Sequence, residues 1–219
     1  MFGMDNKLSL AALLCLLFAV ANCWLLIRLA AVRRQRDAAG VTIALLQKEM
    51  ALLQDQALHD HLTGLPNRAL LEDRIRQALV KATREETNFL ILFLDLDRFK
   101  PVNDMYGHDV GDRLLIDVGR RIRQAVREED TVARIGGDEF VVLAFISSPP
   151  DAALMVRKIG DVLNHPFEAG GNAIHIAASI GQSVFPQDGR SLEELLWKAD
   201  GAMYLHKKRT HKNNGVVSI

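Results

Sequence analysis

Between Leu8 and Leu29 almost every position is apolar, interrupted only by Ser9, Asn22 and Arg28. A helix needs about 20 such residues to cross a bilayer, so the run predicts a transmembrane helix over residues 8–30. A buried core helix or a cleaved leader shares this pattern, and Ala19-Val20-Ala21 is similar to a leader cleavage site. The apolar run continues straight through it, however, as Trp24-Leu25-Leu26-Ile27, which is how a retained anchor reads. Arg28, Arg33, Arg34 and Arg36 follow the run, against Lys7 alone before it. That bias predicts a single-pass protein of the inner (cytoplasmic) membrane whose C-terminal part lies in the cytoplasm.

Residues 31–59 change character. Ile43, Leu46, Met50, Leu53 and Ala57 recur at spacings of three and four, an a/d seam on a helix. The seam lasts about two heptads, fewer than a coiled coil identified from sequence needs. It reads either as a short coiled-coil-like dimer stem in a cytoplasmic linker or as a helix packed on its own domain. From residue 60 the pattern alternates between helical and strand periods. Leu70, Leu71, Ile75 and Leu79 predict a helix over 68–82, and the unbroken apolar run 89–94 predicts a buried strand. Val110, Leu114, Val118 and Ile122 mark a helix ending near 127–130. Two short apolar runs, 131–135 and 140–145, flank Gly136-Gly137-Asp138-Glu139 as a hairpin. A helix over 152–163, a strand pair within 174–184 and a closing helix over 191–207, capped by Ser191, complete the pattern.

Composition narrows the classes. At 49% hydrophobic and 25% charged the chain is no disordered polymer. Its net charge of +0 supplies no overall basic field, so no nucleic-acid partner is expected. Cys15 and Cys23, the only cysteines, both lie in the apolar run, which excludes a disulfide framework or cysteine zinc site in the main domain. The histidines show no metal-ligand spacing, and neither a Walker phosphate loop nor a Ser-His-Asp arrangement is present.

Two places carry candidate chemistry. Asp95-Leu96-Asp97 falls where the buried strand 89–94 runs out, so a carboxylate there can reach a ligand from a fixed backbone. The hairpin tip places Asp138 and Glu139 beside glycines that leave its backbone open to a polyphosphate. Each alone is also what an ordinary solvated turn looks like. If the tip lies beside Asp95, three acids with little local positive charge imply a divalent metal and phosphate.

In chain order the sequence carries Asp60-His61-Leu62-Thr63-Gly64-Leu65-Pro66-Asn67-Arg68, Asp95-Leu96-Asp97-Arg98-Phe99-Lys100 with Asn103-Asp104, Gly107-His108 and Gly111-Asp112. Then come Gly136-Gly137-Asp138-Glu139-Phe140, Ala178-Ser179-Ile180-Gly181, Pro186-Gln187-Asp188-Gly189 and Ala199-Asp200-Gly201-Ala202-Met203-Tyr204. Over residues 58–213 this series resembles the GGDEF family of diguanylate cyclases, and a catalytic domain over 60–214 follows. The resemblance implies an α/β (α+β) fold like the palm of cyclases and polymerases, a central, mostly antiparallel sheet flanked by helices. It implies that Asp95, Asp138 and the Leu96 carbonyl bind two Mg²⁺ ions per site, with Mn²⁺ as a substitute. Glu139 would assist deprotonation of the GTP 3′-hydroxyl, Asn103 and Asp112 would read guanine, and Lys100 would neutralise the transferring phosphoryl group. One site holds one GTP while cyclic di-GMP contains two, so a homodimer is implied. Arg127 and Asp130 match the family's Arg-x-x-Asp inhibitory site for cyclic di-GMP, although an Arg at a helix end and an Asp in a turn are also ordinary.

The sequence departs from the family after Tyr204, where a small residue and then Lys are expected. Leu205-His206-Lys207-Lys208-Arg209-Thr210-His211-Lys212 stands there, so the phosphate contacts fall on Lys207 and His211 or, one residue on, Lys208 and Lys212. A non-catalytic cyclic di-GMP receptor and a GTP-binding scaffold are the competing functions; a receptor usually has a damaged hairpin, and this one is intact.

Overall fold

The computed structural model describes residues 5–169 and 171–214; side chains are described from Ala12 to Thr210 except at positions 38, 41, 51–56, 169, 170 and 172. Helix α1, Asp5–Leu58, runs unbroken for 54 residues. Within it, Ala12–Met50 is, among the described residues, the one helix long and apolar enough to cross a membrane. Residues 31–58 are helical throughout, because Arg33-Arg34-Gln35-Arg36 and the alanines beyond are good helix formers and no proline interrupts them. The seam residue Leu53 and Lys7 have side chains outside the described residues. The chain divides into two compact units, Met1–Asp55 and Gln56–Ile219.

The second unit is built on a four-stranded antiparallel sheet of order β2-β3-β1-β6, formed by β1 (Asn88–Leu96), β2 (Thr131–Gly136), β3 (Glu139–Ile146) and β6 (Ala178–Phe185). Because side chains alternate across a strand, β1 feeds two cores. Leu90, Leu92, Leu94 and Leu96 pack with Leu114, Val118 and Ile122 of α4 (His108–Ala125) and Ile159 of α5 (Pro150–Asn164). Phe89, Ile91 and Phe93 pack with Leu71 and Ile75 of α2 (Arg68–Glu85) and Leu195, Ala199 and Met203 of α6 (Leu192–Asn214). Helix α6 lies so close to β6 that a Cβ on Gly181 would collide with the backbone at Ala199 and Met203. Ser191 Oγ accepts from Glu194 N while Glu194 Oε2 accepts from Ser191 N, a capping box that starts α6.

Three elements differ from the sequence reading. A separate helix, α3 (Phe99–Tyr106), precedes α4 and is broken from it at Gly107, which has φ 85°. The strand pair expected within 174–184 is divided differently: β5 (Asn172–Ile174) pairs with β4 (Phe167–Ala169), whereas β6 pairs with β1. The helix expected to end near 127–130 stops at Ala125, where Val126 turns extended.

Candidate active site

The central strand delivers Asp95, only 7% exposed, to the end of the sheet. Its partner across the β1–β3 ladder is Glu139, so both carboxylates leave the sheet on the α2 and α6 side. Asp138 sits in the turn between β2 and β3, and its carbonyl accepts from Leu96 N–H at 3.2 Å, fixing the turn to the end of β1. Positive φ occurs at Gly136 (154°) and Gly137 (49°) but not at Asp138, and the register shifts between Arg134 and Gly136. The hairpin is therefore bulged, which aims its tip toward β1 instead of continuing the ladder. The Leu96 side chain is buried in the opposite core, leaving only its backbone to address a ligand.

Positive charge comes from α6. Lys207 Nζ lies 2.5 Å from Asp95 Oδ1. Burial alone would lower the lysine's pKa, but the hydrogen bond and charge of Asp95, with Asp138 and Asp97 behind it, raise it. Burial pushes the Asp138 carboxyl up, and the Asp95 charge adds to the shift. Glu139 is raised by burial first and then by Asp95, Asp138 and Asp200. Among the described residues no three His, Cys, Asp or Glu side chains form a ready metal cage. Two carboxylates and a backbone carbonyl nevertheless make a hard-oxygen set that fits Mg²⁺, an ion that keeps other positions for water and phosphate. Of the two alignments of the basic segment, Lys207 is the one brought to Asp95, while Lys208 stands 4.4 Å over the Tyr204 ring. The side chains of His211 and Lys212 lie outside the described residues.

The remaining candidate residues are carried by α3 and α4. Asn103 Oδ1 is buried without a hydrogen-bond partner. It lies where a Cβ on Gly111 would be, so a side chain at that position would displace it. Asp112, the next residue, is exposed. A buried, unsatisfied acceptor costs free energy unless a ligand supplies a donor, and the exocyclic amine of guanine is such a donor. Lys100 projects into solvent from the first turn of α3, after Arg98 takes a left-handed conformation (φ 61°).

Residues that the sequence reading assigned no role hold these parts together. Arg134 donates to Gly137 O from Nε (2.9 Å) and Nη2 (2.7 Å), and from Nη1 to Asp60 Oδ1 at 2.9 Å. Asp60 Oδ1 also accepts from Thr63 N and Oγ1. Burial pulls the Asp60 pKa up, but the Thr63 and Arg134 hydrogen bonds outweigh it and hold the carboxyl below its ordinary value. The 60–67 loop thus braces the hairpin tip. The presence of Asp60 in the motif series was the only sequence signal for this.

Arg127 and Asp130 are near each other but face different surroundings. Arg127 is exposed beside a cavity of about 340 Å³ lined also by Phe145, Asp151, Met155 and Lys158. Asp130 is 2% exposed; Oδ2 accepts from Arg127 N at 2.9 Å and Oδ1 is buried without a partner. Burial raises its pKa.

These elements are those of a family already known. Residues 57–214 match the GGDEF domain of diguanylate cyclases, and the chain belongs to the GGDEF family. It is 42% identical over 211 residues to the bifunctional diguanylate cyclase/cyclic di-GMP phosphodiesterase MucR of Pseudomonas aeruginosa, covering 96% of this chain and 30% of that protein. It is also 42% identical over 178 residues to the diguanylate cyclase TpbB of the same species, covering 80% and 41%. The chain therefore spans less than half the length of either relative. The crystal structure of the TpbB GGDEF domain superimposes with a TM-score of 0.66 at 39% identity, covering 67% of this chain and 92% of that one.

Proposed function

We propose that this protein is a membrane-anchored diguanylate cyclase that condenses two GTP molecules into cyclic di-GMP and releases two pyrophosphates. The observation that carries the reading is the junction of the intact hairpin with Asp95 and Lys207; the unsatisfied Asn103 acceptor supports it as a place for a base.

Asp95, Asp138 and the Leu96 carbonyl would hold two Mg²⁺ ions, or Mn²⁺ in their place, which when bound offset triphosphate charge and make the 3′-hydroxyl more acidic. Asn103 and Asp112 accept from guanine's donor edge, which adenine lacks, and so select the base. Lys207 and Lys100 neutralise phosphate, with His211 as a further contact in the same basic segment. Glu139 takes the proton from an incoming 3′-hydroxyl as a general base. Each 3′-oxygen forms a bond to the other nucleotide's α-phosphorus as the bond to pyrophosphate breaks. Since one domain binds one GTP, two copies face each other as a homodimer. Helix α1 supports that pairing by anchoring residues 8–30 in the inner membrane and extending 31–59 as a stem, with the 60–214 domain in the cytoplasm. Cyclic di-GMP binds back at Arg127, which grips phosphate, and at the free oxygen of Asp130, and inhibits.

The test is incubation of the purified chain with GTP and Mg²⁺ and separation of the products. Cyclic di-GMP with pyrophosphate is expected. Tight binding of added cyclic di-GMP without turnover would instead make the chain a receptor.

A further inference from the structure

Strand β6 is an edge of the sheet, and the N–H groups of its outer side have no strand to pair with. One of them, Ile180 N–H, donates to His206 Nδ1 at 3.0 Å. His206 is on α6 and precedes Lys207, whose ammonium rests on Asp95. The helix already lies against β6 at Gly181, and His206 reaches round the strand edge to close the contact about one turn beyond Met203. This turn of α6 is thus held at two points, Lys207 to a carboxylate of β1 and His206 to the backbone of β6.

The two contacts are not equivalent. The Lys207 contact depends on Asp95 being free to accept it, and in the site proposed above Asp95 is a metal ligand. The His206 contact is made to a backbone amide outside that site and persists whatever Asp95 binds. Without it, a long and flexible lysine would start from a stretch of helix whose next contact with β6 is at Met203, about one turn back.

We infer that His206 is a positioning residue: its Nδ1 bond to Ile180 N–H fixes the turn of α6 that carries Lys207, so that Lys207 is presented to the triphosphate of a bound nucleotide. This rests on the nucleotide-site reading above. It assigns a role to the residue at which the chain departs from the small side chain expected before the lysine. The chemistry also says which substitution can replace it. Asparagine places Oδ1 near the position of Nδ1, whereas the longer glutamine carries its acceptor farther out, near Nε2.

The full chain, in detergent, is titrated calorimetrically with guanosine 5′-[α,β-methylene]triphosphate and, separately, with GMP, both with Mg²⁺. His206→Ala should weaken the triphosphate analogue about five-fold, the scale of one hydrogen bond, and leave GMP unchanged because Asn103 and Asp112 are untouched. His206→Asn should restore affinity and His206→Gln should not. In a Lys207→Ala background the His206→Ala effect should vanish, since neighbours acting through one contact are not additive. Equal affinity of His206→Ala and wild type for the analogue overturns the inference alone, as does equal weakening of both ligands, which would mark general loosening of the fold. No binding of the analogue by wild type overturns the nucleotide-site reading, and this inference with it.

Discussion

Asn103 and Gly111 show how a single missing methyl can define a site. The Asn103 oxygen occupies the volume that any side chain at position 111 would need, so Gly111→Ala should displace it and weaken GTP binding by about ten-fold, the scale of one lost hydrogen bond. The melting temperature should change little; calorimetry of GTP-analogue binding checks the first effect and thermal denaturation the second. Glu139 carries a second residue-scale prediction. It is the base of the mechanism proposed above. Glu139→Ala should lose about 10²–10⁴-fold in rate at every pH without loss of fold, and an unchanged rate would remove it from the mechanism.

At the scale of elements, what was legible in the sequence follows from how local its cause is. Strand β1 was readable because burial on both faces leaves an unbroken apolar run, and α2 and α4 because one apolar face repeats at helical period. Helix α3 was not, since its eight residues hold too few turns to establish a period and its separation from α4 depends on the backbone of Gly107. The β4–β5 hairpin was missed because three-residue strands carry no alternation, and Ile174 was joined to the wrong partner. The brace from Asp60 through Arg134 to Gly137 joins residues 74 positions apart, and no spacing rule announces it. Its strength is testable. Asp60→Ala should destabilise the domain by about 1.5–3 kcal/mol at neutral pH, as expected for hydrogen bonds to a charged group. Because the folded pKa of Asp60 is depressed, its contribution is fully present above the unfolded value and is lost as pH falls through the folded one. The stability difference between wild type and variant in urea titrations should accordingly shrink in strong acid; a pH-independent difference would contradict the ion pair's role.

At the scale of the whole molecule, the candidate site was legible as a list of residues but not as a geometry. The sequence placed Asp95, Asp138 and Glu139 in one series. The ladder that sets Asp95 opposite Glu139, and the placement of Lys207 beside Asp95 with Lys208 over Tyr204, required the fold. The proposed half-site reaction makes activity depend on pairing, so removing residues 1–56 should lower specific activity at nanomolar protein and recover it as concentration rises, because tethering acts through effective concentration. Rate against enzyme concentration for both chains checks this. Arg127→Ala should flatten the inhibition curve of added cyclic di-GMP while leaving the initial rate unchanged. The most direct measurement of the central claim is the stoichiometry of a GTP reaction with Mg²⁺, following cyclic di-GMP by mass spectrometry and pyrophosphate by a coupled assay. Cyclic di-GMP and pyrophosphate in a ratio of about one to two, absent for Glu139→Ala, is the predicted result; GTP recovered intact after prolonged incubation with well-folded protein would contradict it.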